Sequence, residues 1–383
     1  MMRMKTKINI LQIIYWVGSV ILSSFLILLI GIYSLTDNPK AALQFMLNYR
    51  IIKENYFRTI PDERLFENAT LGMISSLDDP YSTLLSGKNF DFFQQSTSGE
   101  YGGIGVVIGK NSDGGIYILS VFPNSSAEKN GLQAEDKIIS VDGEILSVAE
   151  LEDISKRLRG KAGTHVQIEI KRGDENLCFD VERSNIIMPT VQSNIIKNDI
   201  GYIHIYSFTK HTPEELSDQL NVLKSDGVQK LIIDLRMNPG GLVDSVVSVA
   251  NQLLTAGTIV SYHTKNGHIK EFNIEGTDRV MPMVILIDEH SASASEILAG
   301  AVQDKREGTV IGKTSYGKGT VQTVIQNGDR SALKISIAEY RTAAGRIIDK
   351  VGIIPDIEVE QTGRVFDKNN DSVVKKAVEI LEK

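Results

Sequence analysis

The sequence predicts a multidomain α+β chain: an N-terminal transmembrane helix, a helical segment, a small α+β unit, and a layered α/β domain with a βαβ pattern. Three observations carry this reading. The stretch Ile8–Leu35 is apolar and holds no charged residue. Composition turns abruptly to glycine and β-forming residues at Ser96. Beyond Ile200, strand-like apolar runs alternate with helical ones, which argues a layered sheet. The chain has 383 residues, room for two or three domains of about 100–200 residues. The boundaries fall at 1–36, 37–95, 96–184, 185–362 and 363–383.

Arg3, Lys5 and Lys7 precede the apolar stretch. A bilayer-spanning helix needs about 20 residues, and this run is longer. A basic edge faces the cytoplasm. The expectation is a single-pass protein of the cell membrane with its remaining domains outside the cytoplasm. A cleavable signal peptide competes, but its apolar region is usually about 7–15 residues, and no A-x-A site is evident. No later segment is long and apolar enough to span again.

Residues 37–95 read as helical. Apolar residues recur at spacings of three and four across Ala41–Tyr56 and Arg64–Leu77. Pro80 stops the second run, since the residue before a proline is pushed out of the α region. In 96–184, Tyr117–Val121, Lys137–Val141, Val166–Lys171 and Asn176–Val181 read as strands. Asp142-Gly143 is a hairpin turn, and Leu151–Leu158 is helical. In the last large domain, strands at Gly201–Tyr206, Lys230–Asp234, Met283–Ile287 and Thr309–Ile311 alternate with helices at Pro213–Ser225, Val243–Leu254 and Ser295–Gln303. Val373–Glu382 is a short amphipathic helix.

Composition excludes several functions. Lys+Arg is 41 against 48 Asp+Glu, a net charge of −7, and no basic block invites nucleic acid. Cys178 is the only cysteine, so neither an intramolecular disulfide nor a thiolate metal cluster can form. The six histidines show no metal-binding spacing. No metal and no cofactor are expected.

Two strand-to-helix turns could carry chemistry, because such folds place sites beyond the carboxyl ends of strands. Asn238-Pro239-Gly240-Gly241 lets backbone N–H groups approach a ligand. Ser291-Ala292-Ser293-Ala294-Ser295-Glu296 offers accessible hydroxyls, although Ser293 and Glu296 also fit a plain capping box. The spacing does not choose among Ser291, Ser293 and Ser295. A serine nucleophile needs a base. His290, His263 and His268 are poorly placed for a triad, with no Asp set to orient them. Lys318, between Gly317 and Gly319, can serve if burial lowers its pKa. A phosphate-loop reading fails because Gly319 follows the lysine.

Five strings occur in order: LDDPYS (Leu77–Ser82), YGGIGV (Tyr101–Val106), DLRMNPGGL (Asp234–Leu242), SASASEILAGAVQD (Ser291–Asp304) and TSYGKGTVQ (Thr314–Gln322). Together they resemble the carboxy-terminal processing (tail-specific) serine peptidases, from about residue 40 to Val359. The resemblance implies a PDZ-like domain at 96–184 and a peptidase core at 185–362. It places the nucleophile of a Ser–Lys dyad on Ser293, its base on Lys318, and a lysine-positioning glutamine on Gln322. Oxyanion donors would be the N–H of Ala294 and of Gly240 or Gly241. Gly102, Gly103, Ile104, Gly105 and Val106 would hold a substrate's C-terminal carboxylate, with β-addition alongside. Protein substrates recognised by their tails follow, and a homodimer formed through 37–95 and 373–383. Two departures stand out: His290 replaces a more usual Asn or Gly, and Arg341–Gly345 replaces a Tyr-x-Thr-Pro-x-Gly stretch. The competing readings are a non-catalytic exported PDZ scaffold, and an esterase, which would lack its G-x-S-x-G string.

Overall fold

The computed structural model describes residues 10–111, 114–145, 151–278, 280–328, 330–363 and 370–383. The chain divides into two compact units, Met1–Asp78 and Asp79–Lys383.

The first unit contains helices Ile10–Leu35, Pro39–Asn55 and Asp62–Ser75. Asn38 caps the second by accepting from Ala41 N, with Pro39 in the first turn, where its missing N–H costs nothing. Lys53 Nζ lies 2.6 Å from Asp62 Oδ2. The expected transmembrane helix is corrected here. Among the described residues, no helix is long and apolar enough to cross a membrane. Ile10–Leu35 is helical, with the polar residues Ser19, Ser23, Ser24 and Ser34 along its length. Arg3, Lys5, Lys7 and Ile8 lie outside the described residues.

The helical reading of 37–95 also changes. After Asp78, which turns the chain with φ +50°, Thr83–Ser86 is a strand and Gly87–Ser98 a helix. The strand pairs antiparallel with Ser331–Lys334. Four residues reading Thr-Leu-Leu-Ser hold no usable periodicity. Their strand character comes from a partner some 250 residues away.

A six-stranded sheet forms the centre of the second unit, in the order Val191–Lys197, Ile200–Ile205, Lys230–Asp234, Met283–Ile287, Thr309–Gly312, Ile357–Glu358. Only the first pair is antiparallel. The inner strands are continuous apolar runs because helices cover both faces. On one face Ile203, Leu231, Ile233 and Ile285 pack with Leu216, Val246, Val249 and Ile297, from helices Thr212–Ser225, Val243–Leu253 and Ala294–Lys305. On the other, Tyr202, Ile232, Val284 and Leu286 meet Val373, Val374 and Ala377 of Ser372–Leu381. A buried ion cluster ties that last helix down. Arg236 donates from Nε to Asp234 Oδ1 at 2.9 Å and from Nη2 to Asp371 Oδ2 at 2.9 Å. Asp371 in turn accepts from Val373 N and Val374 N.

A second, antiparallel sheet is organised by the long strand Ser331–Thr342. Thr320–Gly328 lies on one side, and Thr83–Ser86 and then Thr255–Thr264 on the other. The third sheet, Val106–Lys110 to Glu175–Glu182, closes around Ile118, Ile138, Ile154, Val166, Ile168 and Ile170. Alternate residues of His165–Arg172 are buried, as expected for a strand with one covered face.

Candidate active site

The parallel strands Lys230–Asp234 and Met283–Ile287 are neighbours, so the two turns that follow them lie side by side. Asn238 stitches them together. Fully buried, it accepts at its carbonyl from Ala292 N at 3.0 Å and from Ser295 Oγ at 3.0 Å. Its side chain donates to Ile205 O at 2.7 Å and accepts from Gly240 N at 2.8 Å. Asp288 adds a second tie, accepting from Met237 N and His290 N, both at 3.0 Å. Gly240 sits so close to the serine turn that a Cβ there would lie 2.9 Å from Ala294 N.

Burial separates the three serines. The Ser291 hydroxyl is fully buried and donates to Leu235 O at 2.8 Å. Ser295 is fully buried too, bonded to Asn238 as above. Ser293 is half-buried and lines a cavity of about 1060 Å³. It occupies φ +55°, ψ −111°, ahead of helix Ala294–Lys305. A non-glycine residue held there stores about 1–3 kcal/mol of strain. The strain is stabilised from outside: Ser293 N donates to Glu296 Oε2 at 2.7 Å. Ser293 and Glu296 together form a capping box at the start of that helix.

Glu296 does more than cap. Its fully buried carboxylate also accepts from Ser315 Oγ at 2.6 Å, Gly317 N at 2.7 Å and Lys318 N at 3.0 Å. One side chain therefore fixes the backbone of both Ser293 and Lys318. Burial pushes its carboxyl up, and these donors work against that rise.

Lys318 lines the same cavity as Ser293, and so does Gln322. Among the described residues, no hydrogen bond joins any two of these three side chains. Gln322 Nε2 donates instead to Thr320 Oγ1 at 2.9 Å and Ser336 Oγ at 3.1 Å. The Lys318 amine lies 5.0 Å from the centre of the Tyr81 ring. Burial, then the Lys334 charge, push it below the ordinary lysine range, while Glu296 and Asp79 pull it back. Tyr81 comes from the LDDPYS string. Asp79 holds that turn, accepting from Tyr81 N at 3.0 Å and Ser82 Oγ at 2.5 Å. No histidine lines the cavity; His290 is exposed, and His263 bonds Ser261.

Of the expected oxyanion donors, Gly240 N is committed to Asn238. Ala294 begins a helix, and first-turn N–H groups lack intrahelical acceptors. At Gly241, φ is +151° and a Cβ would lie 2.1 Å from Phe208 O. Only glycine fits.

The expected carboxylate loop divides. Glu100–Gly103 is a strand paired with Ser184–Ile187, leaving Ile104 and Gly105 as the turn before Val106–Lys110. The glycines have packing reasons. A Cβ on Gly102 would lie 1.9 Å from Gly160 O, and one on Gly105 2.3 Å from Ser125 Cβ. The cavity reaches this region through Tyr101, Phe122 and Arg159.

Sequence reasoning missed Tyr81, Lys334, Asp288 and the wider role of Glu296. Glu296 and Tyr81 left a signal, their places in the SASASE and LDDPYS strings.

Comparison with known proteins agrees with this architecture. A model of Peptidase family S41 matches residues 199–359, a PDZ domain model 94–171, and a model of the activating protease CtpB N-terminal domain 37–88. Carboxy-terminal processing protease CtpA of Bacillus subtilis is 37% identical over 315 residues, 82% of this chain and 67% of the relative. The carboxy-terminal-processing protease of Bartonella bacilliformis is 35% identical over 364 residues, 91% and 83% of the two chains. The chain belongs to the carboxy-terminal processing serine proteases. Among solved structures of the family, a photosystem II D1 C-terminal processing protease is similar at a TM-score of 0.51 and 27% identity, covering 82% of this chain and 86% of that one. A putative S41 protease from Bacteroides fragilis shares the fold at a TM-score of 0.53 and 16% identity, covering 87% and 96%. The membership makes this chain a PDZ-containing serine peptidase acting on proteins.

Proposed function

We propose that this peptidase cleaves proteins with a Ser293–Lys318 dyad and selects them by their C-terminal tails. The observation that carries the reading is the selective exposure of Ser293. Of three neighbouring serines, it alone opens on the cavity that also receives a half-buried lysine. Neutral Lys318 takes the hydroxyl proton, and Ser293 attacks the peptide carbonyl. The oxyanion is met by Ala294 N–H and Gly241 N–H, since Gly240 is already bonded. Lysine then returns the proton to the leaving amine, and water hydrolyses the acyl-enzyme. Gln322 acts on the lysine by holding Thr320, which lines the same cavity. Ile104 and Gly105 receive the tail carboxylate, and Val106–Lys110 pairs with the tail.

Ser293→Ala and Lys318→Ala are each expected to lower cleavage of an unfolded protein by roughly 10³–10⁶ with an unchanged circular dichroism spectrum. Parent-like cleavage by either purified variant removes the dyad. Persistent lack of cleavage by the parent, while a tail peptide still binds, favours a scaffold.

Two further expectations belong to this proposal. The catalytic part works outside the cytoplasm, which protease accessibility in intact cells checks. A second copy covers the first unit, whose helix Pro39–Asn55 buries no residue and exposes Leu43, Phe45, Met46, Leu47, Ile51 and Ile52. Patches of that kind mark interaction sites, and sedimentation of the full chain reads the outcome.

A further inference from the structure

The strand Ser331–Thr342 carries a second lysine into the active-site cavity. Lys334 pairs in register with Val324 on one side and Thr83 on the other. Directly opposed residues share a sheet face, and Lys334 and Val324 both line the cavity. The Lys334 amine is half-buried and lies 5.7 Å from the centre of the Phe93 ring. Among the described residues, no carboxylate lies within ion-pair distance of it. None of the residues lining the cavity is an aspartate or glutamate. A protein with a net charge of −7 thus holds unpaired cations in its catalytic cleft.

The groups facing Lys318 come from every side. Glu296 projects from helix Ala294–Lys305 and Asp79 and Tyr81 from the turn before Thr83. Tyr316 belongs to the lysine's own loop, and Asp349, which accepts from Gly319 N at 3.3 Å, lies beyond the long strand. Glu296 and Asp79 favour an ammonium. Both are already engaged, Glu296 by its four donors and Asp79 by Tyr81 N and Ser82 Oγ. Lys334 is the cation in the group.

We propose that Lys334 is an electrostatic positioning residue: its charge in the shared cavity disfavours a second ammonium and keeps Lys318 as the neutral amine that accepts the Ser293 proton. The inference rests on the dyad reading above. Two like charges in one poorly hydrated site do not ionise together easily, and a neighbouring cation is a known way to activate a lysine. Burial lowers both amines, the Lys334 charge lowers Lys318 further, and Asp79 favours the charged form of Lys334.

The test is the pH profile of kcat/KM for the full chain on a tail-bearing peptide. Lys334→Met keeps the apolar stem and removes the charge. The acidic limb should move up by about half a unit to one unit, so that activity on that limb falls roughly three- to tenfold. Lys334→Arg keeps the charge and should leave the midpoint in place. A second measurement needs no turnover: titration of ¹³Cε-labelled Lys318 in Ser293→Ala, with and without Lys334→Met. The amine should titrate higher once Lys334 is gone. An unmoved midpoint, or a raised KM alone, overturns the inference; a raised KM alone marks Lys334 as a substrate anion contact. Should Lys318→Ala cleave like the parent, the dyad itself fails, an outcome distinct from either.

Discussion

The proposed nucleophile and the proposed base are held by different physics. Ser293 sits in a turn saturated with hydrogen bonds. Its N–H is tied to Glu296, its neighbours Ser291 and Ser295 are bonded to carbonyls, and Asn238 joins the two turns. The Lys318 backbone shares that anchor, but among the described residues its amine carries no hydrogen bond. A ring, burial and a neighbouring charge govern it. A hydroxyl must be aimed, and directional bonds do that. An amine must be kept neutral, and strong acceptors would defeat this by favouring the ammonium. For the proposed Ser293–Lys318 pair, the contrast teaches that one cavity combines a polar half with a nearly bond-free half.

The hardest blow to the polar half is Gly241→Ala. The new Cβ would meet Phe208 O at 2.1 Å, so the loop must move. A displaced oxyanion donor typically costs about 10²–10³ in kcat. A variant with kcat within twofold of the parent would show that the Gly241 N–H plays no part in the reaction.

Glu296→Gln strikes the joint between the halves. An amide offers one acceptor oxygen to four donors, and each buried donor left without a partner costs about 1–3 kcal/mol. Both backbones loosen, and kcat is expected to fall about 10- to 100-fold with KM little changed. The pH profile adds a sign. Glu296 pulls Lys318 toward the ammonium, so removing its charge moves the acidic limb down, opposite to the shift expected for Lys334→Met. A profile that stays in place reduces Glu296 to a structural strut.

The same contrast governs what the sequence reveals. The polar half is local. Asn238-Pro239-Gly240-Gly241 and Ser291–Glu296 are short turns whose residue types declare strand-to-helix geometry, and the strands before them are continuous apolar runs. The four inner strands of the central sheet and the helices between them were therefore legible, while the edge strands Val191–Lys197 and Ile357–Glu358 were not. The choice of Ser293 was not, since it depends on which hydroxyls the fold buries. The surroundings of the amine are non-local. Tyr81 and Lys334 come from segments more than two hundred residues apart, joined by the pairing of Thr83 with Lys334, and no spacing rule links them. The glycines of Tyr101–Val106 misled in the other direction. They signalled a ligand loop along their whole length, yet Gly102 and Gly103 are strand residues that let backbone and ring pack closely. A glycine that admits a ligand and one that admits a neighbouring chain look alike until the neighbour is seen.

The smallest effect belongs to the apolar half, and it is the sharper test of the contrast. Tyr81 covers the Lys318 amine with its ring and has its phenol pushed up to about 12 by burial and by Tyr316, so it stays protonated wherever the enzyme is assayed. Tyr81→Phe keeps the ring, and activity should stay within about threefold of the parent, since a ring–amine contact is worth about 0.5–2 kcal/mol and the phenyl face retains most of it. Tyr81→Ala opens the cleft to water beside the amine. Hydration then favours the ammonium, and kcat/KM near neutral pH should drop about tenfold while recovering at higher pH. The recovery is what separates a lost water shield from a lost contact: if Tyr81→Ala is equally slow at all pH values, the ring merely holds the turn in place, and exclusion of water is not what governs the lysine.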